Sequence, residues 1–221
     1  MAADRLEIYN GALLICGARK LASLSVNEEP RHLLDDVWLG GRGVRYCLEQ
    51  AQWHFAMRAS EFDYNPSITP AFGLSRAFTK PTDWVNTSGV FQDGYMRSPL
   101  LNYADETGYW FADRDVIYVR YVSDDVLYGL DYSKWPESFT EYVKAYFASK
   151  IIRKMPGGAE KVIDICDDRK GVLAKALVNA KNRAAMALPA TFPSRGTWAR
   201  ARHAGVGNYR NDGGNTNSLI G

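Results

Sequence analysis

The chain has 221 residues, of which 46% are hydrophobic and 13% aromatic, so it can bury the core of one large domain or of one domain with an insertion. A formal net charge of +2 and a charged fraction of 24% are ordinary for a globular protein and do not indicate a nucleic-acid-binding chain. No apolar run approaches the ~20 residues of a membrane-spanning helix, and the three cysteines are too widely spaced to indicate a disulfide framework.

The first quarter of the chain has helical periodicity. Residues 4–17 predict a short amphipathic helix, with one apolar face formed by Leu6, Tyr9, Leu13 and Cys16. A second apolar stripe runs from Leu33 to Phe55, which is about six turns of helix. The sequence Gly-Gly-Arg-Gly interrupts this stripe at 40–43.

Gly40, Gly41 and Gly43 are therefore candidate site residues, with two interpretations. Interior glycines cost a helix roughly 1 kcal/mol each relative to alanine, so the helix either breaks here or runs on. If it runs on, the glycines permit close packing against a neighbouring helix. A phosphate-binding loop is disfavoured, because no strand precedes the glycines and no Lys-Ser/Thr pair follows them.

The middle of the chain, 58–124, changes to a period of two. Turn-forming clusters at 105–108 and 112–115 separate segments rich in aromatic and β-branched residues. The alternating residues of the last segments are Leu101, Tyr103, Tyr109, Phe111, Ile117, Val119 and Tyr121. This pattern predicts an antiparallel β-meander of about four to six strands.

Helical periodicity returns at Pro136, with a wide apolar face from Phe139 to Ile152 and a last helix over about 159–187. The order of elements predicts an α+β fold: an antiparallel helical bundle of about four helices with an inserted antiparallel β-meander subdomain and an extended C-terminal arm. The predicted divisions are 1–57 and 125–190 for the bundle, 58–124 for the inserted subdomain and 191–221 for the arm.

Catalytic and metal-binding patterns are weak in this sequence. His32 and His54 lie about six turns apart along one predicted helical segment, and the spacings typical of metal sites or activated nucleophiles do not occur. Adjacent carboxylates such as Asp35-Asp36 are typical of helix caps and turns, although two carboxylates across a cleft would suit a glycosidase. We expect no catalytic residue, no metal and no cofactor.

The arm, 191–221, has no periodic apolar face and carries four arginines against one aspartate, a net charge of +3. Such a segment gains order on a partner, and aromatic and arginine side chains typically anchor protein interfaces. The candidate docking residues are Phe192, Arg195, Trp198, Arg200, Arg202, Tyr209 and Arg210. Four scattered arginines make a weak phosphate track, which favours an acidic groove on a protein over DNA; an unattached terminus is the remaining interpretation.

Several stretches resemble a known family when they are taken together in order. "LEIYNGALLICGARKLASLSVNEEPRHLLDDVW" and "CLEQAQWHFAMR" are similar to the N-terminal helical half of the tail tubular protein A family, the head-to-tail adaptors of short-tailed bacteriophages. "FTKPTDWV", "DVIYVRYVSDD" and "WPESFTEYVKAYFASKI" resemble the family's later Pro-x-Asp-Trp, Tyr-Val-x-Tyr and Trp-Pro-x-x-Phe motifs. The resemblance covers about residues 5–187, and the arm is its least matched part.

The resemblance implies a structural virion protein and not an enzyme. It implies a homo-oligomeric ring, commonly of twelve copies, that links the portal protein to the tail nozzle protein, surrounds a DNA channel without sequence-specific binding, and docks its C-terminal arms on the portal. The expected location is the head–tail junction of the virion. The acidic residues Asp4 and Glu7 are unlike a signal peptide, so we expect assembly in the host cytoplasm and no membrane partner.

Two alternatives remain from the residues. One is a small tail-associated cell-wall hydrolase, which would need a carboxylate pair in a cleft. The other is a nucleic-acid-binding protein that stacks bases on the aromatic side chains of the sheet, although the basic residues expected between those aromatics are sparse.

Overall fold

The computed structural model describes residues 4–70, 73–155 and 158–187. The protein is a mixed α and β structure with antiparallel sheets. The helices are α1 (Arg5–Cys16), α2 (Glu29–Trp38), α3 (Arg42–Glu49), α4 (Glu137–Ile151), α5 (Gly158–Cys166) and α6 (Val172–Met186). The strands are β1 (Met57–Asp63), β2 (Arg76–Thr79), β3 (Trp84–Phe91), β4 (Tyr103–Glu106), β5 (Tyr109–Ala112) and β6 (Val116–Ser123). Short 3-10 helices cover Leu39–Gly41, His54–Ala56, Tyr132–Lys134 and Ile152–Lys154.

Helix α4 lies at the centre of the helical part. Every residue from Tyr142 to Ala148 is buried, and α4 contacts all five other helices. A helix that is buried on all sides must be apolar on all sides, and this segment is apolar or aromatic except for Lys144. The main hydrophobic core is therefore organised around α4.

Helix α1 confirms the predicted first helix. Its apolar face, which includes Tyr9 and Leu13, is buried, and its end is set by Gly17. Gly17 has a φ of 70°, and its N–H donates to the carbonyl of Leu14 at 3.0 Å. Glycine adopts this left-handed conformation at no steric cost, which is why helices commonly end on it.

The prediction of one last helix over 159–187 is wrong. The segment forms two helices, α5 and α6, because Asp167 starts a turn between them: its carboxylate accepts the backbone N–H groups of Arg169 and Lys170. Short polar side chains compete in this way with helical hydrogen bonds. With the break near Gly40, the described chain has six α-helices and not about four.

The strands form two three-stranded antiparallel sheets, with orders β1-β6-β3 and β2-β5-β4. The predicted meander, in which each strand pairs with the next, is wrong for most of these pairs: only β4 and β5 are both consecutive and paired. The reason is burial, because β6 carries Ile117, Val119, Tyr121 and Val122 with almost no exposure and occupies the centre of its sheet. A period of two identifies a strand but not its partner.

A second hydrophobic core combines side chains from both sheets. Phe78 of β2 and Trp110 of β5 pack in one cluster with Ile117 and Val119 of β6. A buried ammonium group reinforces it: Lys80 lies 3.8 Å from the ring centroid of Trp84 and donates to the Glu106 carbonyl and the Asp105 carboxylate. The sheets are thus joined by apolar packing and by a paired charge.

The carboxylate of Asp83, between β2 and β3, is the hub of a polar cluster on sheet β1-β6-β3. Ser123 Oγ and Arg58 donate to it, the latter at 2.9 Å. Burial alone would raise the pKa of Asp83, but these hydrogen bonds and the charge of Arg58 lower it below its ordinary value. Beside this cluster, Arg45 of α3 donates to the Trp84 carbonyl at 2.6 Å, which links a helix to the sheet.

We predict that Asp83→Asn lowers the free energy of unfolding by about 1–3 kcal/mol at neutral pH, because buried donors lose a charged acceptor. The pKa of Asp83 is lower in the folded protein than in the unfolded chain, where it is about 4. The stabilisation that the ionised carboxylate contributes is therefore complete above pH ~4 and is lost as the pH falls through the pKa of the folded state. Urea unfolding at pH 7 and pH 3 measures this. The stability difference from the wild type should shrink at pH 3, whereas the exposed control Asp63→Asn should change little at either pH; an equal difference at both pH values would contradict the prediction.

Candidate interaction surfaces

The predicted docking residues of the arm lie outside the described residues. They are Phe192, Arg195, Trp198, Arg200, Arg202, Tyr209 and Arg210. Their role in binding a partner stays a prediction. The three predicted glycines, in contrast, have defined positions.

Gly40 and Gly41 form the turn that separates α2 from α3. Their φ angles are 66° and 95°, and Leu39 before them has a φ of 34°. Three successive left-handed residues end α2, so the helix breaks here as the first interpretation expected. A side chain at Gly40 would meet no atom within 4 Å, which shows that backbone conformation and not space favours glycine there.

Gly43 has the close packing of the second interpretation. A Cβ atom at this position would lie 2.6 Å from the Val37 carbonyl oxygen and 3.1 Å from Cζ of Phe147 on α4. Real Cβ atoms do not approach backbone oxygens so closely. The two interpretations therefore apply to different glycines: Gly40 and Gly41 turn the chain, and Gly43 lets α3 approach the central helix.

The thiols are placed as packing groups. Cys16 and Cys47 are buried, and burial raises the pKa of Cys16 to about 11 and raises that of Cys47 further. A nucleophilic cysteine needs the opposite shift. Within the described ranges no group of three or more His, Cys, Asp or Glu residues is placed to hold a metal ion.

His54 lines an apolar cavity of about 280 Å³ between Trp53, Phe139 and the last turns of α6. Its Nε2 atom is buried and has no hydrogen-bond partner in the structure. The residues that line this cavity include no carboxylate and no thiol. General acid–base chemistry needs a second group within hydrogen-bond reach, and the described wall of the cavity does not supply one.

The adjacent carboxylates have structural contacts. In each of the adjacent pairs Asp35-Asp36, Asp124-Asp125 and Asp167-Asp168, one member accepts a hydrogen bond between elements or in a turn. The donors are Tyr9 to Asp35, Arg45 to Asp124 and the backbone N–H of Arg169 to Asp167. Asp113 lies between β5 and β6, where it accepts the Ser75 N–H at 2.7 Å.

The loop between β3 and β4 presents two large apolar side chains to solvent. Tyr95 and Leu101 are 82% and 88% exposed. Tyr95 lies in a turn held by the Asp93 carboxylate, which accepts the backbone N–H groups of Arg97 and Ser98. The Arg97 guanidinium lies 5.4 Å from the ring centroid of Tyr95, yet both apolar side chains stay largely exposed.

The outer side of α6 is apolar and basic, and we call it the basic face. Its sequence, VLAKALVNAKNRAAM, has three basic residues and no acidic residue. Ala180 is buried against the core, while Val178 and Met186 point outward and Met186 is 77% exposed. Helical spacing places Lys175 beside them and Lys181 at the flank.

The outer side of α1 and the start of α4 is acidic, and we call it the acidic face. Lys144, whose side chain is only 10% exposed, pairs with Glu7 at 3.2 Å, Glu141 at 2.9 Å and Glu137 at 3.8 Å. Burial alone would lower the pKa of Lys144, but Glu141 and Glu7 raise it. Three carboxylates around one ammonium leave a surplus of negative charge, and exposed Leu14 follows on the same side of α1.

Sequence reasoning missed both faces. The absence of acidic residues from 172–186 was a visible signal for the basic face. The acidic face had no such signal, because Glu7 and Glu137 are 130 residues apart in the chain and meet only through Lys144.

A scan against models of known protein families and a search among curated proteins both found no match. The likeness to head-to-tail adaptors therefore rests on the motifs quoted above. Within the described ranges, no helix has the length and apolar character needed to cross a membrane.

We predict that Gly43→Ala lowers the free energy of unfolding by about 1 kcal/mol or more. Alanine in place of a helical glycine normally stabilises by about 1 kcal/mol, but crowding against Val37 and Phe147 should reverse the sign. Chemical denaturation measures this sign. The control is Gly94→Ala, whose Cβ would lie an ordinary 3.4 Å from Tyr118; a stabilised Gly43→Ala variant would show that the contact is not tight.

Proposed function

We propose that this protein is a structural virion protein, a head-to-tail adaptor that forms a ring between portal and tail nozzle and surrounds the DNA channel. The observation that supports it best is the order of elements: a helical segment, six strands, a second helical segment, and then a basic terminal sequence without a periodic apolar face. The same order, with the quoted motifs, is what the adaptor resemblance implies.

In this proposal the helices around α4 form the bundle, 58–124 forms a subdomain inserted into it, and 191–221 forms the arm. Helices α1 and α6 each have their most extensive helix contact with α4 and no comparable contact with each other. Two separate outer surfaces are therefore present, as a subunit with one neighbour on each side requires.

The mechanism is mechanical. Each arm loses conformational entropy when it docks, and the contacts of its aromatic and arginine side chains offset that loss. A ring presents many arms at once, so weak individual contacts combine into firm attachment. Docking of the ring then completes a channel through which DNA passes without sequence-specific contacts. The virion location, the portal, nozzle and DNA partners and the non-enzymatic role belong to this proposal.

We predict that deletion of 191–221 leaves the body folded and abolishes attachment to the portal. Both hydrophobic clusters connect residues between 6 and 184, so the body has cores of its own. Thermal unfolding measures the first part, and co-sedimentation with portal rings measures the second. Within the arm, Trp198→Ala and Tyr209→Ala should each weaken attachment by about tenfold, as interface anchors do.

Ser218→Ala is the matched control in the arm and should attach as the wild type does. Full attachment of the deletion variant would refute the role of the arm. Turnover of peptidoglycan by the purified protein, abolished by neutralising one carboxylate, would instead support the hydrolase alternative.

A further inference from the structure

We propose that the ring is closed by a head-to-tail contact in which the basic face on α6 of one copy docks on the acidic face of the next copy. The inference rests on the proposed function, because it assigns the surfaces by which that ring assembles. It depends on the charge, exposure and relative position of the two faces.

The basic face has the chemistry of an uncovered protein interface. Among the described residues, Lys175, Lys181 and Arg183 make no ion pair, and the large exposed apolar residues of α6 are Val172, Val178 and Met186. A helix side that exposes apolar residues and charges of one sign gains by contact with a surface that is apolar and of opposite charge.

The acidic face supplies that complement. Glu7, Glu137 and Glu141 share one buried cation, so their cluster carries a net charge of about −2 next to exposed Leu14. Lys144 donates hydrogen bonds to Glu7 and Glu141, and its stem lies against Gly11 of α1, where a Cβ would be only 2.5 Å from its Cδ. Two of the three carboxylates are thus tied to a side chain that is packed between α1 and α4.

The positions of the faces suit a ring. A contact between two different surfaces of the same chain is heterologous, and heterologous contacts build closed rings when the rotation between copies closes. Helix α1 and helix α6 pack on the same central helix without a comparable contact between them. One copy can therefore offer both faces at once.

A nucleic acid is the competing ligand for a basic helix, and the observations favour protein. Three cations on α6 would release few counterions from DNA, so they would supply little phosphate affinity. Val178 and Met186 lie among them and have no favourable contact with phosphate. The acidic face offers both the charge and an apolar side chain.

The test changes the charge of each face separately. Lys175→Glu with Lys181→Glu alters the basic face, and Glu137→Lys alters the acidic face while Glu7 and Glu141 still hold Lys144. The control is Lys20→Glu with Arg42→Glu, which changes net charge as the α6 variant does at exposed residues without ion pairs in the described structure. Sedimentation velocity over a range of concentrations measures self-association, and circular dichroism checks folding.

We expect each altered face to weaken self-association of the full chain by about tenfold or more, and the control to assemble as the wild type does. An equimolar mixture of the two variants should form pairs that neither variant forms alone, because the unaltered α6 of the Glu137→Lys variant can dock on the unaltered acidic face of the α6 variant. Pairing in the mixture separates loss of a specific contact from simple loss of fold.

Three results would overturn the inference. Wild-type assembly by the α6 variant would show that the ring uses other surfaces and would leave the adaptor proposal standing. Unchanged assembly together with loss of duplex DNA binding would make α6 a nucleic-acid surface. If the wild type stays monomeric at every concentration, the proposed contact between copies does not form. The portal assay on the arm deletion would then still decide the proposed function.

Discussion

Between Tyr142 and Ala148 the side chains of α4 are removed from water on every side, and the other helices keep their positions because they cover this one segment. Burial of apolar surface contributes about 25 cal/mol per Å², and it is non-directional, so shape decides which helix fits where. Glycines provide that fit at two points: Gly43 lets α3 approach Phe147, and Gly11 lets α1 lie over Lys144.

Lys144 is the exception inside this apolar segment, and it links core to surface. A buried ammonium without a partner would be strongly destabilising. One carboxylate would be enough to pair with Lys144, but three carboxylates surround it. Their partly exposed side chains give this part of the surface a net negative charge. The acidic face is thus in part a consequence of placing a charge in the core.

Sequence periodicity predicted what depends on local pattern. Helix α1, the return of helix at Pro136 and the strands within 58–124 follow from spacing alone, and the end of α1 at Gly17 follows from the left-handed preference of glycine. What failed depends on contacts distant in sequence. The central place of β6 follows from how completely it is buried, and the break between α5 and α6 from hydrogen bonds made by the one side chain of Asp167.

The candidate site follows the same division. The glycines of the turn at Gly40 and the basic composition of α6 are visible in the sequence. The acidic face, in contrast, forms only when α1 and α4 pack together. A surface made by two helices that are 120 residues apart leaves no local pattern to detect. The arm presents the opposite case, because its composition alone generated the docking prediction.

The motifs that carry the adaptor resemblance are, in this structure, residues of the cores and their links. Trp53 Nε1 donates to the Cys47 carbonyl, Asp83 accepts from Arg58, and Trp135 Nε1 donates to the Gly129 carbonyl. A motif whose residues hold a fold together is evidence about that fold first. Function in a subunit of an assembly resides on its surfaces, so the arm, which contributes least to the resemblance, is where the adaptor proposal is tested most directly.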